Sequence, residues 1–149
     1  MALTPAPKRV LQGTLNRVLT QLTLANFPAL NVSSGNFDQG VMTCTFSGDP
    51  TLQIQTNTGI VNSPAPFIMG SFEFNLLRTQ ALASAWLEQM QAGSVLGDVT
   101  GYSDSSAFDS ITLSDAAITL FNPGTWNGTT PTVSVTITGA YFVNNNMWG

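Results

Sequence analysis

The 149-residue chain contains no histidine and a single cysteine, Cys44. Histidine is the usual general base near neutral pH and the usual zinc ligand, so hydrolysis by a Ser-His pair is excluded and a lone thiol cannot replace the missing ligands. Two carboxylates could still cleave a glycosidic bond, and Glu73 with Glu88 is the only Glu pair available. Glu73 alternates with Phe72 and Phe74 and so belongs to the opposite face of a strand, while Glu88 falls on a helix away from Trp86, so nothing in the spacing makes them converge. Asp98, Asp104 and Asp109 lie six and five residues apart in a polar stretch, without the tight alternation and terminal Glu of a calcium loop; they read as solvated turn residues. Neither GxxxxGK[ST] nor GxGxxG is present, and the sequon Asn127-Gly128-Thr129 means little without a secretion signal. No catalysis, cofactor or metal is expected.

Charge is the more informative property. Charged residues make up 8% of the chain and apolar residues 43%, against about 25% charged in ordinary soluble domains. The polar surface must be built from Thr, Ser, Asn and Gln, which hydrogen-bond to a partner without the cost of burying an ion. A surface of that kind suits burial in an assembly; the competing reading is an acidic monomer kept soluble by its net charge of −4. Lys8, Arg9 and Arg17 place three positive charges near the N-terminus, and the rest of the chain, with Arg78 as its one cation, carries −7. A basic end and an acidic body allow head-to-tail pairing of copies, although Lys and Arg also guard exposed strand edges. Four cations cannot form the basic stripe that phosphate binding needs.

The elements that must carry these residues read as mostly β. Met1–Pro7, with two prolines, reads as an extended arm, so the expectation is one domain over 1–149 with an arm over 1–8. Arg9–Leu24 mixes β-branched and polar residues as a strand broken at Gly13. Gly40–Phe46 alternates, with Met42, Cys44 and Phe46 on one face, which makes Cys44 a small core residue. Leu52–Ile60 is the next strand, paired with Gly40–Phe46 as a hairpin through Gly48-Asp49-Pro50, and Asn62–Pro66 is a turn. Phe67–Leu76 places Ile68, Gly70, Phe72, Phe74 and Leu76 on one face. Helical spacing then takes over in Arg78–Gln91, with Leu82, Trp86 and Met90 as a core stripe and Gly93 as the C-terminal cap. Asp98–Tyr102 is a short strand and Ser103–Ser106 a turn. Ser110–Phe121 changes phase near Ser114-Asp115, as a β-bulge does, and Asn122–Pro131 connects it to Thr132–Val143, whose Val133, Val135 and Ile137 point inward. About seven strands and one helix make two packed antiparallel sheets, a sandwich or barrel with one flanking α-helix. Val18–Leu30 is too interrupted for a signal-peptide core, no run reaches the roughly eighteen apolar residues of a membrane helix, and one cysteine allows no intrachain disulfide. Cytoplasmic folding without membrane insertion is the default expectation.

The order strand, helix, acidic turn, strand, hairpin, with the passages SFEFNLLRTQALASAWLEQM, DSITLSDAAITLFNPG and TVSVTITGAYFVNNNMWG, resembles the tail tube proteins of contractile-tailed bacteriophages over most of Phe67–Gly149. The resemblance implies rings of six stacked into a hollow virion tail tube inside a contractile sheath. It implies as partners further copies of the chain, the sheath protein, and tape measure and baseplate proteins, with genomic DNA passing through without specific binding. It also implies assembly in the host cytoplasm and location in the virion. Six copies at −4 each carry −24, a conduit that repels phosphate; Glu73, Asp98, Asp104 and Asp109 are the candidate lumen-facing acids. Lys8, Arg9 and Arg17 are the candidates for contact with the adjoining ring. Two other readings are a ring protein of a type VI secretion apparatus, and a carbohydrate-binding β-sandwich module using Trp126, Tyr141 or Trp148 as a stacking platform. Charge reversal of Lys8 and Arg9 is expected to shorten or weaken tubes seen by electron microscopy; unchanged length and stability would count against the inter-ring role.

Overall fold

The computed structural model describes residues 20–103 and 110–147, with Gly13, Leu15 and Phe108 in addition. Within them the chain forms β1 (Gln21–Leu24), β2 (Phe37–Ser47), β3 (Thr51–Gln55), β4 (Ile60–Pro64), β5 (Phe67–Leu77), α1 (Ala81–Ala92), β6 (Val95–Tyr102), β7 (Ser110–Asn122) and β8 (Thr132–Phe142). Six strands make one antiparallel half-barrel in the order β1-β6-β7-β8-β5-β2, and β3 and β4 make a separate two-stranded sheet. The fold is mostly β with two antiparallel sheets and one flanking helix, as expected, with eight strands among the described residues where the sequence suggested seven. Met1–Pro7, all of the expected first strand before Gln21 except Gly13, Leu15 and Thr20, and the turn expected after Ser103 lie outside them.

Alternation explains the sheet. β5 runs buried at Ile68, Gly70, Phe72, Phe74 and Leu76 and accessible between them. β8 does the same at Val133, Val135, Ile137 and Gly139, and the two strands are in unbroken register from Phe67↔Phe142 to Leu77↔Thr132. Inward side chains therefore meet inward side chains, Phe72 opposite Ile137 and Phe74 opposite Val135. The phase change in β7 is a bulge: the register against β8 shifts between Ser114 and Ala117, and Asp115 takes a positive φ of 52°.

Small residues let this sheet curl. A Cβ built at Gly101 of β6 would lie 2.8 Å from the Phe72 ring and 3.0 Å from the Met42 methyl, on β5 and on the far edge strand β2. One at Gly70 of β5 would lie 2.7 Å from Leu113 of β7. Strands several places apart thus face each other across the interior, and side chains at these positions would force them apart. α1 fills the open side with Trp86, fully buried, and Ala83, backed by the partly buried Leu82 and Met90. The Trp86 ring meets Phe74 edge-on at 5.4 Å, and Phe74 meets Phe37 at 6.1 Å. The helix starts three residues later than its periodicity suggested. Gly93 is its C-cap, donating its N–H to the Gln89 carbonyl at 2.7 Å, but in extended backbone and not in the left-handed cap geometry.

Three expectations change. The strand Leu52–Ile60 is broken by a turn in which Thr56 N–H donates to the Gly59 carbonyl at 2.8 Å and Gly59 N–H to Thr56 Oγ1 at 3.1 Å. Its first half, β3, therefore pairs with β4, which runs from Ile60, the last residue of that expected strand, into the Asn62–Pro66 stretch read as a turn, while β2 pairs with β5. Cys44 is in the inward phase, opposite Phe72, yet exposed on the edge strand β2 and not a core residue.

Trp86 also sets a testable balance. Its indole N–H finds no acceptor among the described residues, and an unpaired buried donor costs about 1–3 kcal/mol. Trp86→Ala is expected to lower unfolding free energy by about 3–5 kcal/mol in urea, whereas Trp86→Phe, which keeps a ring and removes the donor, should lose clearly less. Equal losses would contradict this account of the core.

Candidate assembly surfaces

The sequence candidates for chemistry do not come together. Glu73 lies on the face of β5 turned away from α1, with Thr43 and Thr136 as its register neighbours, and Glu88 is exposed on α1, so the sheet separates the two carboxylates. Asp98 is exposed beside the irregular pairing at Gly97. Asp104 and Asp109 lie outside the described residues, as do Lys8, Arg9, Arg17 and Trp148. Among the described residues no group of three or more His, Cys, Asp or Glu side chains is placed to hold a metal. Trp126 is 81% exposed in the β7–β8 connection. Tyr141 sits at the other end of β8, stacked on Phe46 at 4.7 Å. Nine residue steps from Thr132 to Tyr141 cover about 30 Å, so Trp126 and Tyr141 stand as separate aromatics at opposite ends of β8.

The β7–β8 connection is instead held as structure. Arg78 donates from its two terminal nitrogens to the carbonyls of Thr125 at 2.7 Å and Asn127 at 2.6 Å, and its backbone N–H to that of Pro131 at 2.7 Å. The Asn127 side-chain oxygen accepts from Thr129 N–H, Thr129 Oγ1 and Thr130 N–H. The sequon asparagine is thus a turn builder, and the one cation of the described residues is committed to carbonyls.

What the geometry offers is surface. The sheet face away from α1 carries Thr43, Thr45, Ser71, Asn75, Thr100, Thr112, Thr119, Ser134, Thr136 and Thr138, paired across strands by bonds such as Thr100–Thr112 and Thr119–Thr138, both 3.0 Å between hydroxyls, and Ser134 to Asn75 at 2.9 Å. Glu73 and Asp98 are its described carboxylates. β2 ends the sheet, and no strand among the described residues pairs with its outer edge. Cys44 lies on that edge strand, and partial burial raises its thiol above the ordinary pKa.

The second surface is the arm made by β3 and β4. Residues 51–64 contain no ionisable side chain, and the substantial contacts of each strand are with the other alone. Leu52 is 56% exposed, Ile54 48%, Ile60 62% and Val61 52%. Register places Leu52, Ile54 and Val61 on one side and Gln53 with Asn62, joined at 3.1 Å, on the other. At its base Phe67, Met69 and Phe142 add further exposed apolar surface. Sequence reasoning missed the arm because its alternation is that of an ordinary strand; the absence of charge over fourteen residues was the available signal.

No protein-family model matches the chain, and no curated protein does. Among solved structures the chain is similar to the sheath/tube terminator of the PVC extracellular contractile injection system in its extended state, with 12% identity, a TM-score of 0.55, and coverage of 90% of this chain and 98% of that one. A chain of the PVC sheath-tube complex gives 11% identity, a TM-score of 0.52 and coverage of 89% and 94%. A chain from the anti-feeding prophage tube-terminating cap gives 15%, 0.50, and 96% and 100%. At such identities the likeness is one of fold, and this chain has the fold of proteins from contractile tail-like particles over nearly its whole length.

Proposed function

We propose that the chain is a structural subunit of a contractile tail-like particle, assembling with copies of itself into rings that stack as a tail tube or close its end. The observation that carries this reading is the accessible surface: a Thr- and Ser-rich sheet face whose described carboxylates are Glu73 and Asp98 alone, a β2 edge that no described strand pairs, and an arm with four exposed apolar side chains. An unpaired edge is a template for another strand, and a charge-free arm can be buried without desolvating an ion. Similarity of fold to terminator, cap and sheath-tube chains supports the same class of assembly and brings tube and sheath proteins into view as partners. The finer expectations, a phage tail tube with six copies per ring around DNA, Glu73 and Asp98 toward the lumen, and location in a virion, belong to this reading. A terminal position is a second form of it, favoured by the likeness to terminator and cap chains at 98% and 100% of their lengths.

The arm supplies the test. Ile54→Lys with Val61→Lys places two charges on the apolar side of an element that supports nothing in its own chain, so the thermal midpoint of the isolated subunit should stay within about 2–3 °C of the parent. Rings or tubes visible by electron microscopy for the parent should be lost. Assemblies of parental appearance in the double variant would overturn the arm's role in assembly.

A further inference from the structure

The substantial contacts of β3 and β4 are with each other, and the two roots of the arm are tied to one side chain. Asn144 Nδ2 donates to the carbonyl of Pro50 at 2.9 Å and to that of Ala65 at 2.8 Å. Those residues flank β3 and β4, and Ala65 N–H closes the pair by donating to the Pro50 carbonyl at 2.8 Å. The donor is presented from beyond β8: Val143 N–H donates to the Pro66 carbonyl at 3.1 Å, and Asn144 then turns with a φ of 57°, a left-handed conformation that asparagine tolerates better than most residues. A short helical turn, Asn145–Met147, follows, and Met147 borders a shallow groove with Thr51, Gln53, Asn62 and Pro64 along the polar side of the arm.

We propose that Asn144 is the positioning residue for assembly, clamping both roots of the β3–β4 arm so that its apolar side meets the next copy at a set angle. This rests on the reading that the arm docks on a second copy, and it adds what fixes the direction of docking. An arm of five-residue strands attached through two short links would otherwise swing, and ordering it on contact would reduce affinity. One primary amide has two donors, and here they go to the two root carbonyls that such a swing would carry away from Asn144. Aspartate fits the same space and accepts the same φ but cannot donate when ionised, and glycine keeps the backbone turn and removes the amide. The two variants therefore separate the hydrogen bonds from the left-handed turn.

The test uses the full chain with Cys44→Ser, Asn57→Cys at the arm tip and Ser84→Cys on the exposed side of α1, spin-labelled at both new thiols. Pulsed dipolar spectroscopy on the single subunit should give a narrow distance distribution, which Asn144→Gly and Asn144→Asp should broaden while the subunit keeps a cooperative thermal transition. In the unlabelled chain the same variants should raise the concentration needed for assembly about tenfold or more, because a released arm must be ordered on contact. An unchanged distribution in both variants would overturn the clamp, and a broadened distribution with unaltered assembly would overturn its role in docking. Failure of the parent chain to assemble would sink the underlying reading, and the spin-label distances would then decide the clamp by themselves.

Discussion

A row of unpaired backbone N–H and C=O groups along a strand edge has to be guarded by charge, covered by another element, or paired with another chain. The outer edge of β2 is the point on which this molecule turns. Over its eleven residues β2 carries one ionisable acid, Asp38, and no Lys or Pro. The described residues place no strand beside it. Its irregular pairing with β5 between Phe37 and Met42 is the device, among the described residues, that blunts it. The rest of the sheet is satisfied internally, from the partial cover of β1 by the Leu22–Val32 bridge to the unbroken β5–β8 ladder. An edge of this kind on a chain with 8% charged residues is coherent as half of an interface.

The other features follow from how the sheet reaches that edge. Gly101 and Gly70 let β6 and β7 approach β5 and β2 across the interior, and Trp86 of α1 fills the remaining opening against Phe74. That closes one apolar core and leaves the Thr-rich face, the β2 edge and the β3–β4 arm outside it. Apart from Glu73, Asp98 and Asp38, their groups are hydroxyls, amides and apolar side chains, none of which needs a counter-ion when covered. Arg78, the one cation of the described residues, donates to the carbonyls of the β7–β8 connection. Charge is therefore sparse on these surfaces, limited to Glu73, Asp98 and Asp38, and absent from the arm, which is consistent with the proposed assembly through shape and backbone pairing.

Much of this is legible in the chain itself, and the failures share one cause. Strict alternation over Phe67–Leu76 and Thr132–Val143, the 3.6-residue spacing around Trp86, and the phase slip at Ser114-Asp115 each describe a local property, and each appears in the structure where it is expected. Alternation states which face a residue occupies but neither its partner nor its cover. Periodicity thus pairs β2 with the wrong neighbour, and Cys44, in the correct phase opposite Phe72, is exposed. The turn at Thr56–Gly59 is hidden because Thr56 and Thr58 continue the alternation of Leu52 and Ile54. Of the named acids, Glu73 and Asp98 are exposed, a property their neighbours Phe72 and Val99 make readable; what an assembly would set against them leaves no mark on local periodicity.

Sedimentation velocity of the purified full chain over a wide concentration range tests the central claim most directly, because a surface built to be covered by sister copies must show it in mass. The account predicts a concentration-dependent rise to ring-sized and larger species. A single species of 15.8 kDa that persists undiminished at the highest concentrations would contradict it.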